Sequence, residues 1–456
     1  MTDTPLPATP TPSGLAAEIA GLLRLAGPIA VSRFGALLLV LVDIAMLGHF
    51  DAIELAYYGL GNAVVMVLFL VGVGMLIGIA VLASQARGAG RERDCGTIWR
   101  VGLLHALALG LGAALLSLAA APLLGLFGQE PGLAAGGGHA AIALGIGMPG
   151  ALLFLASSLF LEAIGRPRAG VVVMFAGNIV NLGLNALLIE GWPTLGIDGA
   201  VGVGLATSAV RWLMALALAV YVLRLPEAER LNLRGPLDGP WQVSARLRRL
   251  GYGFGLAQGL ESSAFASLTV FAGHLGAAEV AAYQVAQNVV AFVFMLAVGI
   301  ATATGVGVGH AVGRRDALGM ARAGWTGVVA ILACMATFGL LVILLPAPIA
   351  WLFSNDEAVL ALAVPALAIA GLTMPPDGAQ AVLMGALRGA GDVWMPTVLH
   401  LFAFVGVMMP AAWLFALPLG GGVDGLLWGA FAGVTAAASL LALRFRRISR
   451  RLVESA

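Results

Sequence analysis

Long apolar stretches separated by short polar segments make up most of the chain between residues 23 and 446. The apolar residues run continuously and do not alternate with polar ones, which is typical of membrane-spanning helices rather than barrel strands. One spanning helix needs roughly 20 apolar residues. The pattern therefore predicts twelve spans, at residues 23–48, 56–84, 97–121, 139–163, 168–190, 197–223, 246–272, 281–308, 320–345, 358–386, 394–417 and 425–446.

The composition agrees with an integral membrane protein. Of the 456 residues, 60% are hydrophobic and 10% are charged, whereas a soluble domain has about 25% charged residues. Cys95 lies in a short loop and Cys334 inside a span, so we expect two free thiols. The first 22 residues are rich in Pro and Thr and lack the basic start and apolar run of a signal peptide, so we expect a loose tail.

The basic residues are distributed asymmetrically, and all 24 of them are arginine. If the twelve spans alternate in direction, every arginine in a loop falls on one side of the membrane. The loops on the other side contain no arginine; they are 49–55, 122–138, 191–196, 273–280, 346–357 and 418–424. The positive-inside rule places the arginine-rich side in the cytoplasm. We therefore predict a multi-pass protein of the inner membrane with both termini cytoplasmic.

A shift of 225 residues partly superimposes the chain on itself. Residues 47–88 match residues 272–313 without a gap at 14 of 42 positions, and Tyr58 matches Tyr283. Both tyrosines lie near predicted membrane interfaces, where aromatic anchors are common. Six helices per repeat give both halves the same orientation, as in other two-bundle transporters. The predicted divisions are a disordered cytoplasmic tail at 1–22, an N-terminal six-helix bundle at 23–225, a cytoplasmic linker at 226–245, a C-terminal six-helix bundle at 246–446 and a cytoplasmic tail at 447–456.

Three carboxylates, Asp43, Glu261 and Asp377, lie inside predicted spans. Inserting one charge at the centre of a spanning helix costs about 2.5–3.5 kcal/mol. Intramembrane acids mark ion or proton pathways by default. Burial favours the neutral, protonated form of a carboxyl group. We therefore expect each of these acids to release its proton before a cation binds, so that the two ions are exchanged during transport.

Asp43 has candidate polar neighbours in the fifth span. Asn181 and Asn185 are four residues apart and share one helical face. A carboxylate opposite two carboxamides would form an oxygen-rich pocket for a proton or a small cation, although asparagines also join helices by hydrogen bonds alone. Pro28, fifteen residues before Asp43, is predicted to bend the first span.

The other two acids have different surroundings. Glu261 follows Gln258 by one turn in the seventh span. Asp377 directly follows Pro375 and Pro376, which are predicted to break the tenth span and free backbone carbonyls for a cation.

A structural alternative remains for these charges. Arg33 and Arg211 also lie inside spans and are available as ion-pair partners, and Arg211 is interpreted as a charge balancer rather than a substrate ligand. His105 and His400 lie inside spans as well, and we interpret both as hydrogen-bonded packing residues.

Several segments together resemble the multidrug and toxic compound extrusion (MATE) family over nearly the whole chain. Glu261, Asp377 and the Leu-Arg-Gly-x-x-Asp signature that follows Asp377 resemble its NorM-like branch. The matching segments are LAGPIA at 25–30, the VDIAMLGH run at 42–49, NLGLN at 181–185 and ALRGAGDVWMPT at 386–397.

The resemblance implies a V-shaped pair of six-helix bundles that alternates its access and exports organic cations in exchange for protons or Na⁺. It implies an N-lobe proton or cation site at Asp43, Asn181 and Asn185. It also implies coupling acids at Glu261 and Asp377 in the C-lobe, where Na⁺ would bind transiently.

Four further residues are expected to support these sites: Pro28, Gln258, Arg211 and Thr373. Some Na⁺-coupled relatives have a Tyr four residues before the acid of the tenth span, where this chain has Thr373. That difference argues against Na⁺ coupling without excluding it, because a hydroxyl still ligates a cation.

Other transport classes and enzymes fit the sequence less well. A flippase or exporter of lipid-linked or anionic substrates would need a basic site, but acids outnumber basic residues inside the spans. A major-facilitator protein would need a basic motif in the loop after span 2, and that motif is missing. A channel would need a continuous polar pore, and the polar residues here are too few and too scattered. No P-loop, HExxH, CxxC or Gly-x-Ser-x-Gly motif is present, so we expect neither a cofactor nor an enzymatic activity.

The expected partners are small organic cations, protons or Na⁺, and membrane lipids. We expect no nucleic-acid partner, and we expect the protein to be a monomer.

Overall fold

The computed structural model describes residues 15–192, 197–236 and 239–454, and these residues form helices joined by short connections. In chain order the helices are α1 (Leu15–Phe50), α2 (Ala52–Leu76), α3 (Gly78–Gly88), α4 (Glu92–Ser117), α5 (Ala120–Leu126), α6 (Pro131–Gly145), α7 (Met148–Ala163), α8 (Arg168–Leu188), α9 (Gly199–Leu223), α10 (Pro240–Leu275), α11 (Ala277–Gly313), α12 (Ala317–Leu344), α13 (Pro346–Trp351), α14 (Glu357–Gly389), α15 (Trp394–Leu401), α16 (Met409–Ala416) and α17 (Gly422–Glu454). A π-helical segment, Phe402–Met408, joins α15 to α16.

Length and composition identify ten candidate membrane spans among the described residues, one of which joins α2 to α3 and another α15 to α16. An eleventh is found when α6 and α7 are taken as one span bent by 43°. The bend follows Gly145 and Gly147, and Pro149 lies in the first turn of α7, so the cause is a local interruption of the backbone hydrogen bonds. Helix α10 has 36 residues and is long enough to be the twelfth span. It is less apolar because it carries arginines in its first turns and Glu261 near its middle.

Two predicted tails are shorter than expected. Helix α1 begins at Leu15, with Glu18 in its first turn, where an acid interacts favourably with the helix dipole. Helix α17 continues to Glu454, with Arg451 in its last turn, where a cation is favourable. The rest of the predicted N-terminal tail, 1–14, and the last two residues lie outside the described part of the chain, as do 193–196 and 237–238.

The prediction that prolines interrupt the tenth span is wrong. Helix α14 continues through Pro365, Pro375 and Pro376 from Glu357 to Gly389. It packs closely on both sides; Gly371, for example, faces the backbone of Gly339 in α12. Close neighbours hold a helix straight where a proline has removed a hydrogen bond. Helix α1 likewise continues through Pro28 without interruption.

The N-terminal and C-terminal helices meet mainly at the arginine-rich end. Gly74 of α2 faces the backbone of Gly255 in α10, and Gly299 of α11 faces Ala26 and Ala30 in α1. These approaches need residues without a Cβ, which let membrane helices pack closely.

Two hydrogen bonds between the two halves follow the internal repeat. Gln85 Nε2 donates a hydrogen bond of 2.9 Å to the Gly389 carbonyl oxygen, and His310 Nε2 is 2.9 Å from the Ala163 carbonyl oxygen. Gln85 and His310 are equivalent in the 225-residue repeat, and Ala163 and Gly389 are equivalent within one residue. We call these two hydrogen bonds, with the helix crossing between Gly88 and Gly313, the interlobe clasp. The clasp closes the arginine-rich end.

The clasp generates a first prediction. A Cβ at Gly88 would overlap the carbonyl oxygen of His310, which cannot move away easily because it is backbone. Overpacking of this kind costs about 1–3 kcal/mol. We expect Gly88→Ala to shift the protein away from the closed arginine-rich end. The measurement is the rate of disulfide cross-linking between Ala89→Cys and Arg314→Cys, which should fall severalfold.

The matched control is Gly112→Ala, since no heavy atom lies within 4 Å of the Cβ that it would add. Both native cysteines are replaced beforehand so that only the introduced pair reacts. Equal cross-linking rates in the Gly88→Ala and Gly112→Ala proteins would show that the clasp does not determine closure.

Candidate functional site

Asp43 of α1 is fully buried and accepts three hydrogen bonds. Tyr58 Oη and Thr207 Oγ1 each lie 2.7 Å from Asp43 Oδ2, and Asn185 Nδ2 lies 2.6 Å from Asp43 Oδ1. The donors come from three helices, α2, α9 and α8. Three donors aimed at one carboxyl group match its charged form, because a carboxylate only accepts.

A second set of contacts closes this N-lobe cluster. Asn185 Nδ2 also donates to Asn181 Oδ1 at 3.2 Å, and Asn181 Nδ2 donates to Thr207 Oγ1 at 3.1 Å. As the sequence predicts, the two asparagines lie on one face of α8 and point towards Asp43. Asn185 Oδ1 is the exception, being buried with no hydrogen-bond partner among the described residues.

The two intramembrane arginines have different surroundings. Arg211 lies one turn after Thr207 on α9, donates to the Leu144 carbonyl oxygen at 3.3 Å, and is close enough to Asp43 to interact electrostatically. Arg33 pairs instead with Glu162 of α7 at 3.3 Å. The prediction that Arg33 is available to the three acids is therefore wrong. Glu162 was missed because it lies at the end of its span, next to the arginine-rich loop.

The C-lobe acids meet through one amide. Asp377 is 5% exposed, and Glu261 is partly buried on the facing helix α10. Gln380 Nε2 donates to Glu261 Oε1 and to Asp377 Oδ1, at 3.3 Å in each case. His400 Nε2 lies 2.8 Å from Gln380 Oε1. A chain of contacts thus runs from α15 through α14 to α10.

Thr373 and Gln258, which the sequence predicted, lie on the helices of this C-lobe cluster without joining its hydrogen bonds, as does Arg388, which was not predicted. Thr373 is buried and donates to the Ile369 carbonyl oxygen of its own helix at 3.0 Å. Gln258 lies one turn before Glu261 on α10. Arg388 has its guanidinium 5.0 Å from the Phe254 ring centroid and interacts electrostatically with Glu261.

Sequence reasoning missed four members of the clusters: Tyr58, Thr207, Gln380 and His400. Tyr58 is not the interfacial anchor that we predicted, because it is 1% exposed and bonded to Asp43. His400 is not only a packing residue, because it contacts the amide between the acids. Gln380 could have been found from its position one turn after Asp377, whereas His400 and Thr207 become visible only when the helices are assembled.

The two clusters occupy places that are not equivalent in the repeat. Tyr283 is equivalent to Tyr58 and is equally buried, yet its hydroxyl has no partner in the described part of the chain. The residue equivalent to Asp43 is Leu268. The repeat therefore conserves the scaffold, while each half carries its acids at a different position.

Comparisons with known proteins agree with this architecture. The family model MatE matches residues 28–187 and 254–414, one segment in each half of the chain. Over 437 residues, 95% of this chain and 92% of the relative, the chain is 39% identical to "Probable multidrug resistance protein NorM" of Caulobacter vibrioides. A protein of the same name from Xanthomonas campestris is 36% identical over 97% of this chain and 96% of its own length.

The solved structure of the eukaryotic MATE transporter AtDTX14 superimposes with a TM-score of 0.86 at 21% identity, covering 97% of this chain and 100% of that one. This likeness confirms the predicted fold class, an all-α membrane protein of twelve helices in two bundles arranged as a V. The family match confirms a multi-pass membrane transporter and not an enzyme. The chain therefore belongs to the MATE family, in its NorM-like branch.

Proposed function

We propose that the protein is a secondary active antiporter that exports small organic cations, drugs among them, in exchange for protons or Na⁺. The observation that carries this proposal is the presence of one buried acidic cluster in each half, at Asp43 and at Glu261 with Asp377. Acids kept away from water bind a cation or a proton more strongly than exposed ones do. The multidrug resistance names of its relatives support a drug as the exported cation.

Asp43 couples proton binding to helix packing in this proposal. As a carboxylate it joins α1 to α2, α8 and α9 through its three donors. A proton on Asp43 makes one oxygen a donor, so at least one of the three contacts must break or reverse. Four helices thus respond to one protonation event, and the change would alter the surface that α1 presents to the cleft between the lobes.

The C-lobe cluster exchanges cations by competition. Glu261 and Asp377 share a single amide group, so two negative charges there would repel each other in a medium of low dielectric constant. One proton, one Na⁺ or one organic cation relieves that repulsion. An incoming coupling ion would therefore weaken the hold of the site on an outgoing drug.

Alternating access would proceed through the interlobe clasp. We propose that the arginine-rich end faces the cytoplasm, with both termini inside and a monomer as the working unit. The clasp consists of two hydrogen bonds and helix crossings at glycine. Two hydrogen bonds contribute only about 1–3 kcal/mol in total, which suits a gate that opens in every cycle. Residues 23–225 and 246–446 would move as the two lobes, connected by 226–245.

Anionic or lipid-linked substrates remain the less supported class. Such substrates need free positive charge, whereas Arg33 pairs with Glu162 and Arg211 lies close enough to Asp43 to interact with its charge.

The central test removes the charge of the C-lobe acids. We expect Glu261→Gln and Asp377→Asn each to abolish drug efflux from proteoliposomes under separate proton and Na⁺ gradients, without lowering the amount of folded protein. Glu357→Gln is the matched control, since Glu357 is an exposed acid in the first turn of the same helix as Asp377. Full efflux by both acid variants would refute the coupling assignment.

A second test uses the repeat as its own control. Tyr58→Phe removes one donor from Asp43 and leaves the ring in place. A hydrogen bond to a charged group contributes about 1.5–3 kcal/mol, so efflux should fall about tenfold or more. Tyr283→Phe removes a hydroxyl that has no partner among the described residues and should leave efflux unchanged. Equal efflux rates for the Tyr58→Phe and Tyr283→Phe variants would show that the hydrogen bond from Tyr58 to Asp43 does not contribute to transport.

A further inference from the structure

The amide of Gln380 occupies the place between the two C-lobe acids where a shared cation would bind. Its Nε2 atom is 3.3 Å from Glu261 Oε1 and 3.3 Å from Asp377 Oδ1. Hard cations take oxygen ligands. With its N–H₂ group inward the amide repels a cation at this place, and with its oxygen inward it would become a third oxygen ligand. The orientation of one amide thus determines whether the site accepts Na⁺.

His400 fixes that orientation. Its Nε2 atom lies 2.8 Å from Gln380 Oε1. A neutral imidazole carries its proton on one nitrogen and accepts on the other. If Nε2 carries the proton, it donates to Gln380 Oε1 and turns the amide N–H₂ towards the acids. If Nδ1 carries the proton, Nε2 accepts from the amide N–H₂ and the amide oxygen faces the acids.

The surroundings of Nδ1 decide between the two forms. His400 is 1% exposed, and Nδ1 is buried without a hydrogen-bond partner in the described structure. A proton on Nδ1 would be an orphaned buried donor, and such N–H groups are rarer in proteins than unpaired acceptors. The Phe404 ring, 5.0 Å from the imidazole by centroids, packs against it edge to face. The proton therefore belongs on Nε2.

We propose that His400 is a positioning residue that sets the coupling ion: it holds the Gln380 N–H₂ group against Glu261 and Asp377, excludes Na⁺ from the site and leaves protons as the ions exchanged. The proposal rests on the antiport function described above and specifies its coupling ion.

The other charged group near the cluster acts in the same direction. Arg388 is close enough to Glu261 and to His400 to interact with both electrostatically. Its positive charge opposes a second cation in the site and also opposes a doubly protonated imidazole. Thr373 directs its hydroxyl hydrogen to its own helix, at the Ile369 carbonyl oxygen. Arg388 carries no oxygen ligand, and Thr373 makes no hydrogen bond to Glu261 or Asp377 in the described part of the chain.

The first measurement needs no variant. Purified wild-type protein is tested for saturable binding of radioactive sodium at neutral pH, and for drug efflux from proteoliposomes under a proton gradient or a Na⁺ gradient alone. We expect efflux under the proton gradient only, with no saturable Na⁺ binding. Efflux driven by Na⁺ alone would leave the antiport function intact and overturn the role of His400. Absence of efflux under either gradient would instead refute the antiport function.

The second measurement frees the amide. In His400→Leu the donor to Gln380 Oε1 is gone, so the amide can rotate and offer its oxygen to Na⁺. We expect Na⁺ affinity to rise about tenfold or more and Na⁺-driven efflux to appear. His400→Gln keeps a side-chain N–H donor and should remain coupled to protons. The control His105→Leu changes a histidine of α4, which contacts Ser244 and lies outside the cluster, and should behave as wild type.

A double variant identifies the ligand. If the amide oxygen of Gln380 is what binds Na⁺, adding Gln380→Leu to His400→Leu should remove the gained Na⁺ affinity. A His400→Leu protein that folds and transports but stays coupled to protons alone would overturn the proposal, as would Na⁺ affinity that persists in the double variant.

Discussion

A carboxyl group enclosed by membrane helices must be neutralised by a proton or a cation, or surrounded by hydrogen-bond donors, and this requirement organises the whole molecule. The protein meets it differently in its two halves. Asp43 has three neutral donors and is fully satisfied as a carboxylate. Glu261 and Asp377 share one amide and are under-supplied with donors. The N-lobe carboxylate is therefore satisfied by its neighbours, whereas the C-lobe acids have only one shared side-chain donor between them.

The repeat explains why these two solutions coexist. Duplication supplied two similar scaffolds, and the residues that form the interlobe clasp still obey the repeat: Gln85 corresponds to His310, and each donates across to the other half. The acids do not obey it, since Leu268 stands where Asp43 would be expected. Symmetry is thus retained where the lobes must close against each other. It is lost at the acids, for which we propose proton binding in the N-lobe and cation exchange in the C-lobe.

The sequence predicted the fold well because the signal that specifies it is local. Apolar runs of roughly 20 residues define the spans. The direction of the spans, which arginine placement indicates, stays a prediction. The sequence predicted the acids for the same reason as the fold, as a charge inside an apolar run is conspicuous. It could not predict which neutral residues complete the clusters. Tyr58, Thr207 and His400 lie on three different helices, and their roles depend on side-chain contacts between α1, α2, α9, α14 and α15. The predicted break of α14 at Pro375 and Pro376 was wrong for a related reason, since lateral packing outweighs a local preference.

The clasp and the clusters are connected through two helices, which gives coupling a physical path. Helix α1 carries Asp43 and also carries Ala26 and Ala30, which pack against Gly299 of α11. Helix α14 carries Asp377 and Gln380 and ends at Gly389, whose carbonyl accepts from Gln85. We propose that a change in the hydrogen bonds of either cluster would displace a helix that also packs against the other half. The two halves also pack along α1 with α11, α2 with α10 and α3 with α11, so opening this end must separate those helix pairs as well as break the clasp. Occupancy of the acids and closure of the lobes would then be linked through α1 and α14, which carry both an acid and a contact with the other half.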